Sequence, residues 1–182
     1  MTKISVFIAT SVDGFIARKN GDIEWLHNSG HCEVDKDEDF GYQVFFSTVD
    51  ALVMGRHSFE KVLSFDGAWF YGEKPVYVLT NRGVKIPPHL KETVSTLSGS
   101  PREITQKMEK LGHHHIYLDG GVTIQKFLAA GLVDELIITK IPVLLGSGIP
   151  LFGPLSKDIK LQHIDTQAFK NGFVQSHYKL IK

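Results

Sequence analysis

The stretch that decides the fold runs over residues 116–148: Ile116-Tyr117-Leu118-Asp119, then Gly120-Gly121, then Val122-Thr123-Ile124-Gln125-Lys126-Phe127-Leu128-Ala129-Ala130, and finally the apolar run Leu132-Val133-Asp134-Glu135-Leu136-Ile137-Ile138-Thr139-Lys140-Ile141-Pro142-Val143-Leu144-Leu145 closing on Gly146-Ser147-Gly148. It reads as strand, glycine turn, helix, strand. Ile124, Phe127 and Leu128 recur at spacings of three and four, one apolar helical stripe, and Gly131 stands where a C-terminal cap belongs. Such a βαβ unit joins parallel strands by a crossover that is almost always right-handed, so the Gly120-Gly121 turn falls at the carboxyl edge of a sheet, where open α/β folds bind ligands. The free N–H groups and dipole of the helix start favour an anion there, and glycines leave it room. A tight turn needing positive φ would call for the same two residues.

Outward from this unit the pattern repeats. Residues 4–9 form a nearly continuous apolar run with a β-branched bias, as expected of a mid-sheet strand covered on both faces. Residues 10–25 hold Asp13-Gly14 and Asn20-Gly21 without a sustained period, a long loop leaving that strand. From about Asp37 the spacing of Tyr42, Phe45, Phe46 and Val49 predicts a helix, with Asp35, Asp37, Glu38 and Asp39 around its first turn. Ala51-Leu52-Val53-Met54, the turn Gly55-Arg56-His57-Ser58 and the stripe Phe59, Val62, Leu63 give a second strand, glycine turn and helix. Residues 74–80 form a strand closed by Asn81-Arg82-Gly83, and residues 93–97 another. Ser100-Pro101-Arg102-Glu103 has the serine, first-turn proline and third-position glutamate of a capped helix, with Ile104, Met108 and Leu111 as its stripe and Gly112 as its end. Residues 160–166 and 173–181 flank Lys170-Asn171-Gly172, a hairpin signal. The expected fold is one α/β domain over residues 1–182, a mixed, mostly parallel sheet of seven or eight strands flanked by helices and ending in an antiparallel hairpin.

Composition narrows the function. Lys plus Arg and Asp plus Glu number 20 each, so there is no basic field for nucleic acid, and no apolar run approaches the ~20 residues of a membrane span. The one cysteine, Cys32, permits no internal disulfide and sits in no nucleophile motif, and a cytoplasmic protein is expected. The consecutive His113, His114 and His115 enter a strand with side chains on opposite faces, which suits a turn better than a metal site, so no metal is expected. Two glycine turns opening helices, one carrying an arginine, suit a ligand with two or more phosphates. A dinucleotide fits, although neither a Rossmann nor a Walker fingerprint is present.

These residues resemble the dihydrofolate reductase superfamily, in particular the reductase domain of the bifunctional riboflavin-biosynthesis deaminase-reductase and its stand-alone relatives. The likeness rests on Ser11-Val12-Asp13-Gly14-Phe15-Ile16-Ala17, Met54-Gly55-Arg56-His57-Ser58-Phe59-Glu60, Asp119-Gly120-Gly121, Gly131-Leu132-Val133-Asp134-Glu135-Leu136 and Leu144-Leu145-Gly146-Ser147-Gly148, in that order over nearly the whole length. It implies NADPH bound in extended form. By motif, Gly55, Arg56, His57 and Ser58 hold the pyrophosphate and adenine side; Thr80, Asn81 and Arg82 take the adenosine ribose and its 2′-phosphate; Gly120, Gly121, Val122 and Thr123 take the other face of the pyrophosphate; and Ala9, Ile16 and Ala17 line the nicotinamide. Arg56 could instead be a surface arginine with a carboxylate partner. The matching catalytic carboxylate is Asp39, with Asp13 as the alternative, and dipole complementarity or an ordinary turn would also explain them. Trp25, Tyr42 and Phe46 are candidates to meet the substrate, or to anchor the loop and pack the core.

Two departures bear on substrate. The first loop carries Asp22-Ile23-Glu24-Trp25 where dihydrofolate reductases have Leu-Pro-Trp, and residues 35–47 offer acids and Lys36 where the riboflavin-pathway enzyme has basic residues around its second helix. The reading is an NADPH-dependent reductase transferring hydride to a small pterin- or aminopyrimidine-type heterocycle, the nearest named activity being 5-amino-6-(5-phosphoribosylamino)uracil reduction. A folate or broad pterin reductase and, from another class, a non-catalytic nucleotide-binding protein are the alternatives. A homodimer is expected from the apolar residues 137–145, from the terminal hairpin and from dimerisation in the riboflavin-pathway relatives.

Overall fold

The apolar run near the N-terminus becomes the middle of the sheet. In the computed structural model, which describes residues 2–28 and 38–181, strand β1 (Lys3–Ser11) lies between β6 (His115–Asp119) and β7 (Glu135–Ile141), parallel to both. Covered on both faces, β1 needs apolar side chains in both directions, hence a run rather than an alternation. Beyond β6 follow β3 (Ala51–Gly55), β4 (Val76–Leu79) and β5 (Val94–Leu97), all parallel. On the other side β10 (Val174–Leu180) pairs antiparallel with β7, and β9 (Leu161–Ala168) antiparallel with β10. The order β5-β4-β3-β6-β1-β7-β10-β9 is the eight-stranded mixed sheet that the sequence leads one to expect.

Strand alternation then sorts side chains between two helical layers. Ile4, Val6, Val53, Ile116 and Leu118 pack with Ile104 and Met108 of α4 (Pro101–Lys110) and with Ile124, Phe127 and Leu128 of α5 (Gly121–Ala129). Their neighbours Leu52, Met54 and Tyr117 pack with Phe45 of α2 (Tyr42–Thr48) and Phe59 of α3 (Arg56–Leu63). Full burial of each such aliphatic or aromatic side chain contributes roughly 1.5–3 kcal/mol, so these two interiors hold the layers together. A third cluster, Trp25, Ile141 and Phe173, fixes the short helix α1 (Trp25–Asn28) under the carboxyl end of the sheet's antiparallel side. No helix among the described residues is long and apolar enough to cross a membrane.

Two local expectations need correction, the start of the second helix and the extent of the first loop. The helix expected from Asp37 begins at Tyr42, because Phe40 (φ 55°) and Gly41 (φ 80°) are both left-handed and turn the chain sharply into it. Cys32, Asp35, Lys36 and Asp37 lie outside the described residues. Residues 10–25 are not all loop: β1 continues to Ser11, and β2 (Phe15–Ala17) pairs antiparallel with β8 (Ile149–Pro150), a ribbon too short to show a period. The expected terminal hairpin is present, closing around Lys170-Asn171-Gly172 between Phe169 and Phe173, whose backbones bond at 2.8 Å, with Gly172 at φ 87° and Asn171 Oδ1 accepting the Phe173 N–H at 3.1 Å. Of the apolar residues 137–145, Ile138 and Ile141 are buried within the subunit while Leu144 is exposed, and all eight residues of the edge strand β9 are exposed.

Candidate active-site cleft

Helix starts show where a ligand is wanted. α4 satisfies its own first N–H groups with a full capping box, Ser100 Oγ accepting from the Glu103 N–H and the Glu103 carboxylate accepting from the Ser100 N–H at 2.7 Å. α3 and α5 begin on Gly55 and Gly120, and neither has a side-chain cap. Their free N–H groups and dipoles are therefore open to an anion. The two turns also interlock. A Cβ on Gly120, where φ is 91°, would stand 2.5 Å from Ser58 Oγ, and one on Gly55 would stand 2.8 Å from Thr123 Oγ1. Each glycine lies against the hydroxyl of the other helix's first turn, so close approach calls for glycine at both positions and positive φ calls for it again at Gly120. A Cβ on Gly121 would meet Ile16 Cδ1 at 2.8 Å, which brings the β2–β8 ribbon to the same place.

Around these turns opens a cleft of about 1200 Å³. All the residues to which the sequence assigned a cofactor line it: Ala9 at the end of β1; Ile16 and Ala17 on β2; Gly55, Arg56, His57 and Ser58; Thr80, Asn81 and Arg82 after β4; and Gly120, Gly121, Val122 and Thr123. Lys19, Lys61 and Lys126 line it too, against the carboxylates of Glu60 and Asp119. The charged part of the lining is thus mostly cationic, and the uncapped helix starts add to that field. Arg56 has the carboxylate partner that the alternative reading required, Glu60 at 2.7 Å, with His57 Nδ1 3.4 Å from the same carboxylate. That pair orients the guanidinium at the rim without removing it from the cleft. Thr80 Oγ1 accepts the Arg82 N–H at 3.1 Å and donates to the Gly83 carbonyl at 3.3 Å, fixing the turn; the exposed Arg82 guanidinium has no ion-pair partner among the described residues.

The remaining candidates stand elsewhere. Asp39 caps the chain ahead of α2: its two oxygens accept the N–H groups of Gly41 at 2.9 Å and Gln43 at 2.7 Å, and it does not line the cleft. Asp13 accepts the Ser11 hydroxyl at 2.6 Å and the N–H groups of Leu145 at 3.1 Å and Gly146 at 2.7 Å, again outside the cleft. Both carboxylates are occupied by backbone donors, a structural use. Trp25 is buried against Ile141 and Phe173 and anchors its loop. Tyr42 and Phe46 stack at 5.5 Å in an aromatic patch with Phe7, Phe70 and Tyr117 on the α2 side of the sheet, and burial pushes the Tyr42 hydroxyl well up.

Sequence reading passed over Asp119, the last residue of β6. It lines the cleft, yet it is packed closely enough that burial raises its carboxyl above the ordinary range, with the Gly120 N–H pulling the other way. The Tyr42, Tyr71 and Tyr117 hydroxyls feel its charge, so it stands where the cleft meets the aromatic patch. The available signal was its place at a carboxyl strand end immediately before the glycine turn. The three consecutive histidines diverge: His113 Nε2 lies 2.8 Å from the Tyr77 hydroxyl, His115 bridges Ser5 Oγ and the Thr48 carbonyl, and the His114 backbone N–H donates to Asp50.

A sheet of this order with a cleft across its carboxyl edge defines the dihydrofolate-reductase-like class of α/β proteins. Dihydrofolate reductase from Enterococcus faecalis, solved with NADP(H), superposes with a TM-score of 0.66 at 16% identity over 99% of this chain and 97% of its own. The chain belongs to the RibD C-terminal domain family, whose sequence model matches residues 2–175. The protein YwjB of Bacillus subtilis is 35% identical over 97% of both chains. A "putative riboflavin biosynthesis protein" from Shewanella sp. PV-4 has the same fold with a TM-score of 0.92, 39% identity and 99% of each chain covered. The deaminase/5-amino-6-(5-phosphoribosylamino)uracil reductase of Thermotoga maritima superposes at 0.73 with 16% identity, over 99% of this chain and 57% of that one.

Proposed function

We propose that the chain is a single-domain, cytoplasmic NADPH-dependent reductase acting on a small pterin- or aminopyrimidine-type heterocycle. The observation that carries the reading is the pair of uncapped helix starts, α3 and α5, whose glycines interlock inside one cationic cleft. Gly55 to Ser58 and Gly120 to Thr123 would hold a pyrophosphate from both sides, through backbone N–H groups and the hydroxyls of Ser58 and Thr123. Thr80, Asn81 and Arg82 would take the adenosine ribose and its 2′-phosphate. Ala9, Ile16 and Ala17 would admit the flat nicotinamide close to the backbone. The cofactor, when bound, supplies hydride.

For the proton, Asp119 replaces Asp39 and Asp13. A carboxyl raised by burial holds its proton closer to neutrality, as an acid must, and hydrogen-bonds ring nitrogens in either charge state. Tyr42, whose hydroxyl feels the Asp119 charge, and Phe46 stacked on it are half-buried and would offer a flat surface to a heterocycle. Among named activities, 5-amino-6-(5-phosphoribosylamino)uracil reduction stands nearest, because the Thermotoga protein carries that name on the same fold. The test is to mix the protein with NADPH and a panel of pterins and aminopyrimidines, phosphoribosylated and not, while following nicotinamide absorbance. Substrate-dependent loss of NADPH is expected. Binding of NADPH without turnover on any member would instead favour a non-catalytic nucleotide-binding protein.

A further inference from the structure

We propose that Asp13 is a positioning residue, whose carboxylate latches the first loop to residues 145–146 and thereby sets the ribbon that walls the nicotinamide end of the cleft. The inference rests on the nucleotide reading above. Three donors converge on this one carboxylate: the Ser11 hydroxyl at 2.6 Å and the Leu145 N–H at 3.1 Å, both on Oδ1, and the Gly146 N–H at 2.7 Å on Oδ2. Gly146 is left-handed at φ 70°, which lets two successive N–H groups face one anion, the concave arrangement that elsewhere captures free phosphate or sulfate. Here the chain supplies the anion itself.

The latch reaches the cleft through short connections. The Val12 N–H donates to the Val143 carbonyl at 3.0 Å, the Phe15 N–H to Ser11 Oγ at 3.0 Å, and the Leu151 N–H to the Gly14 carbonyl at 3.0 Å. Between these ties lies the β2–β8 ribbon, with Gly148 so close to the Ala17 carbonyl that no side chain would fit. Ile16, Ala17 and Ile149 of the ribbon line the cleft, and Ile16 and Pro150 press on Gly121. The position of that wall, and so the fit of a nicotinamide, depends on two loops staying in register, and Asp13 is the side chain that joins them. A neutral amide cannot replace it: Asn presents one acceptor oxygen and an NH₂ that would face an N–H donor. The Ser11 hydroxyl and the two amides also hold the Asp13 carboxyl below its ordinary range, so the latch is charged at neutral pH.

Calorimetry on the parent protein, Asp13→Asn and Asp13→Ala separates this role from general stability, using NADPH and adenosine 2′,5′-bisphosphate. The bisphosphate carries the adenosine and its two phosphates but no nicotinamide, the part whose place Ile16, Ala17 and Ile149 of the ribbon wall. Both variants are expected to bind NADPH about tenfold more weakly or worse, the scale of losing a charge-assisted contact, and to bind the bisphosphate within about twofold of the parent. Unchanged NADPH affinity in Asp13→Asn, or a parallel fall for both ligands such as misfolding would give, overturns the latch. A parent protein that binds neither ligand overturns the nucleotide reading, and the latch with it.

Discussion

Asp119 is the carboxyl on which the proposed chemistry turns. Asp119→Asn is expected to leave NADPH affinity nearly unchanged and to cut turnover ~10²-fold or more, the usual scale of general acid–base assistance. Unaltered turnover would move the proton elsewhere. Because burial raises its folded-state pKa above the unfolded value, its favourable contribution is fully present below the unfolded pKa and is lost as pH rises through the folded one. The melting temperature of Asp119→Asn relative to the parent should therefore climb as pH rises across that window. Asp39→Ala, by contrast, should lower stability by about 1 kcal/mol, the worth of a helix-start cap, with NADPH binding intact. At Arg82, loss of the guanidinium should erase most of a preference for NADPH over NADH, measured by titrating both cofactors against parent and Arg82→Ala. That preference should also shrink as salt rises, since exposed charges are screened over ~10 Å at 0.1 M. Sequence placed an acid before α2 and another in the first loop, but could not show that backbone N–H groups fill both. Asp119 escaped notice because nothing local marks its burial, and the tyrosines that feel its charge, Tyr42, Tyr71 and Tyr117, arrive from separate parts of the chain.

At the scale of elements, the two glycine turns work as one device. Gly120→Ala forces a β-carbon onto a φ of 91° and to within 2.5 Å of Ser58 Oγ. Left-handed backbone alone costs an L-residue roughly 1–2 kcal/mol, so this variant should melt lower and bind NADPH at least about tenfold more weakly. Gly112→Ala, also left-handed at φ 83° but with open space around its added carbon, should melt lower and bind NADPH normally. Equal loss of binding in both would mean that the turn at Gly120 is merely a turn. These turns were legible because each interrupts a strand period and opens a helical one. What was not legible is that they touch, since Gly55 meets Thr123 and Gly120 meets Ser58 only when β3 and β6 become sheet neighbours. The β2–β8 ribbon was hidden for a related reason: its strands of three and two residues carry no period and exist only as a pair. The late start of α2 is a backbone event at Phe40, held left-handed while its ring packs on Phe169 and Phe173, and no local pattern announces it.

For the whole molecule, the mixed, mostly parallel sheet followed from alternating strands and helices plus a terminal hairpin, its strand order came only with the structure, and the sheet holds the two glycine turns at one edge. Self-association belongs to this scale. With Ile138 and Ile141 internal, the dimer expectation rests on the exposed Leu144 and on the hairpin, where edge strand β9 leaves Leu161 and Ile164 in solvent. An open edge with apolar side chains is a ready pairing surface. Light scattering at micromolar concentration should give twice the mass of a 20.3 kDa chain, and Ile164→Lys should shift it toward one; a monomeric parent would contradict the dimer without touching the cleft. The nucleotide itself is tested most directly by calorimetric titration of NADPH and NADH into the parent protein. One charge-assisted contact to the 2′-phosphate should make NADPH bind roughly 10- to 100-fold tighter than NADH. No heat from either cofactor, or equal affinity for both, would contradict the assignment of this cleft to NADPH.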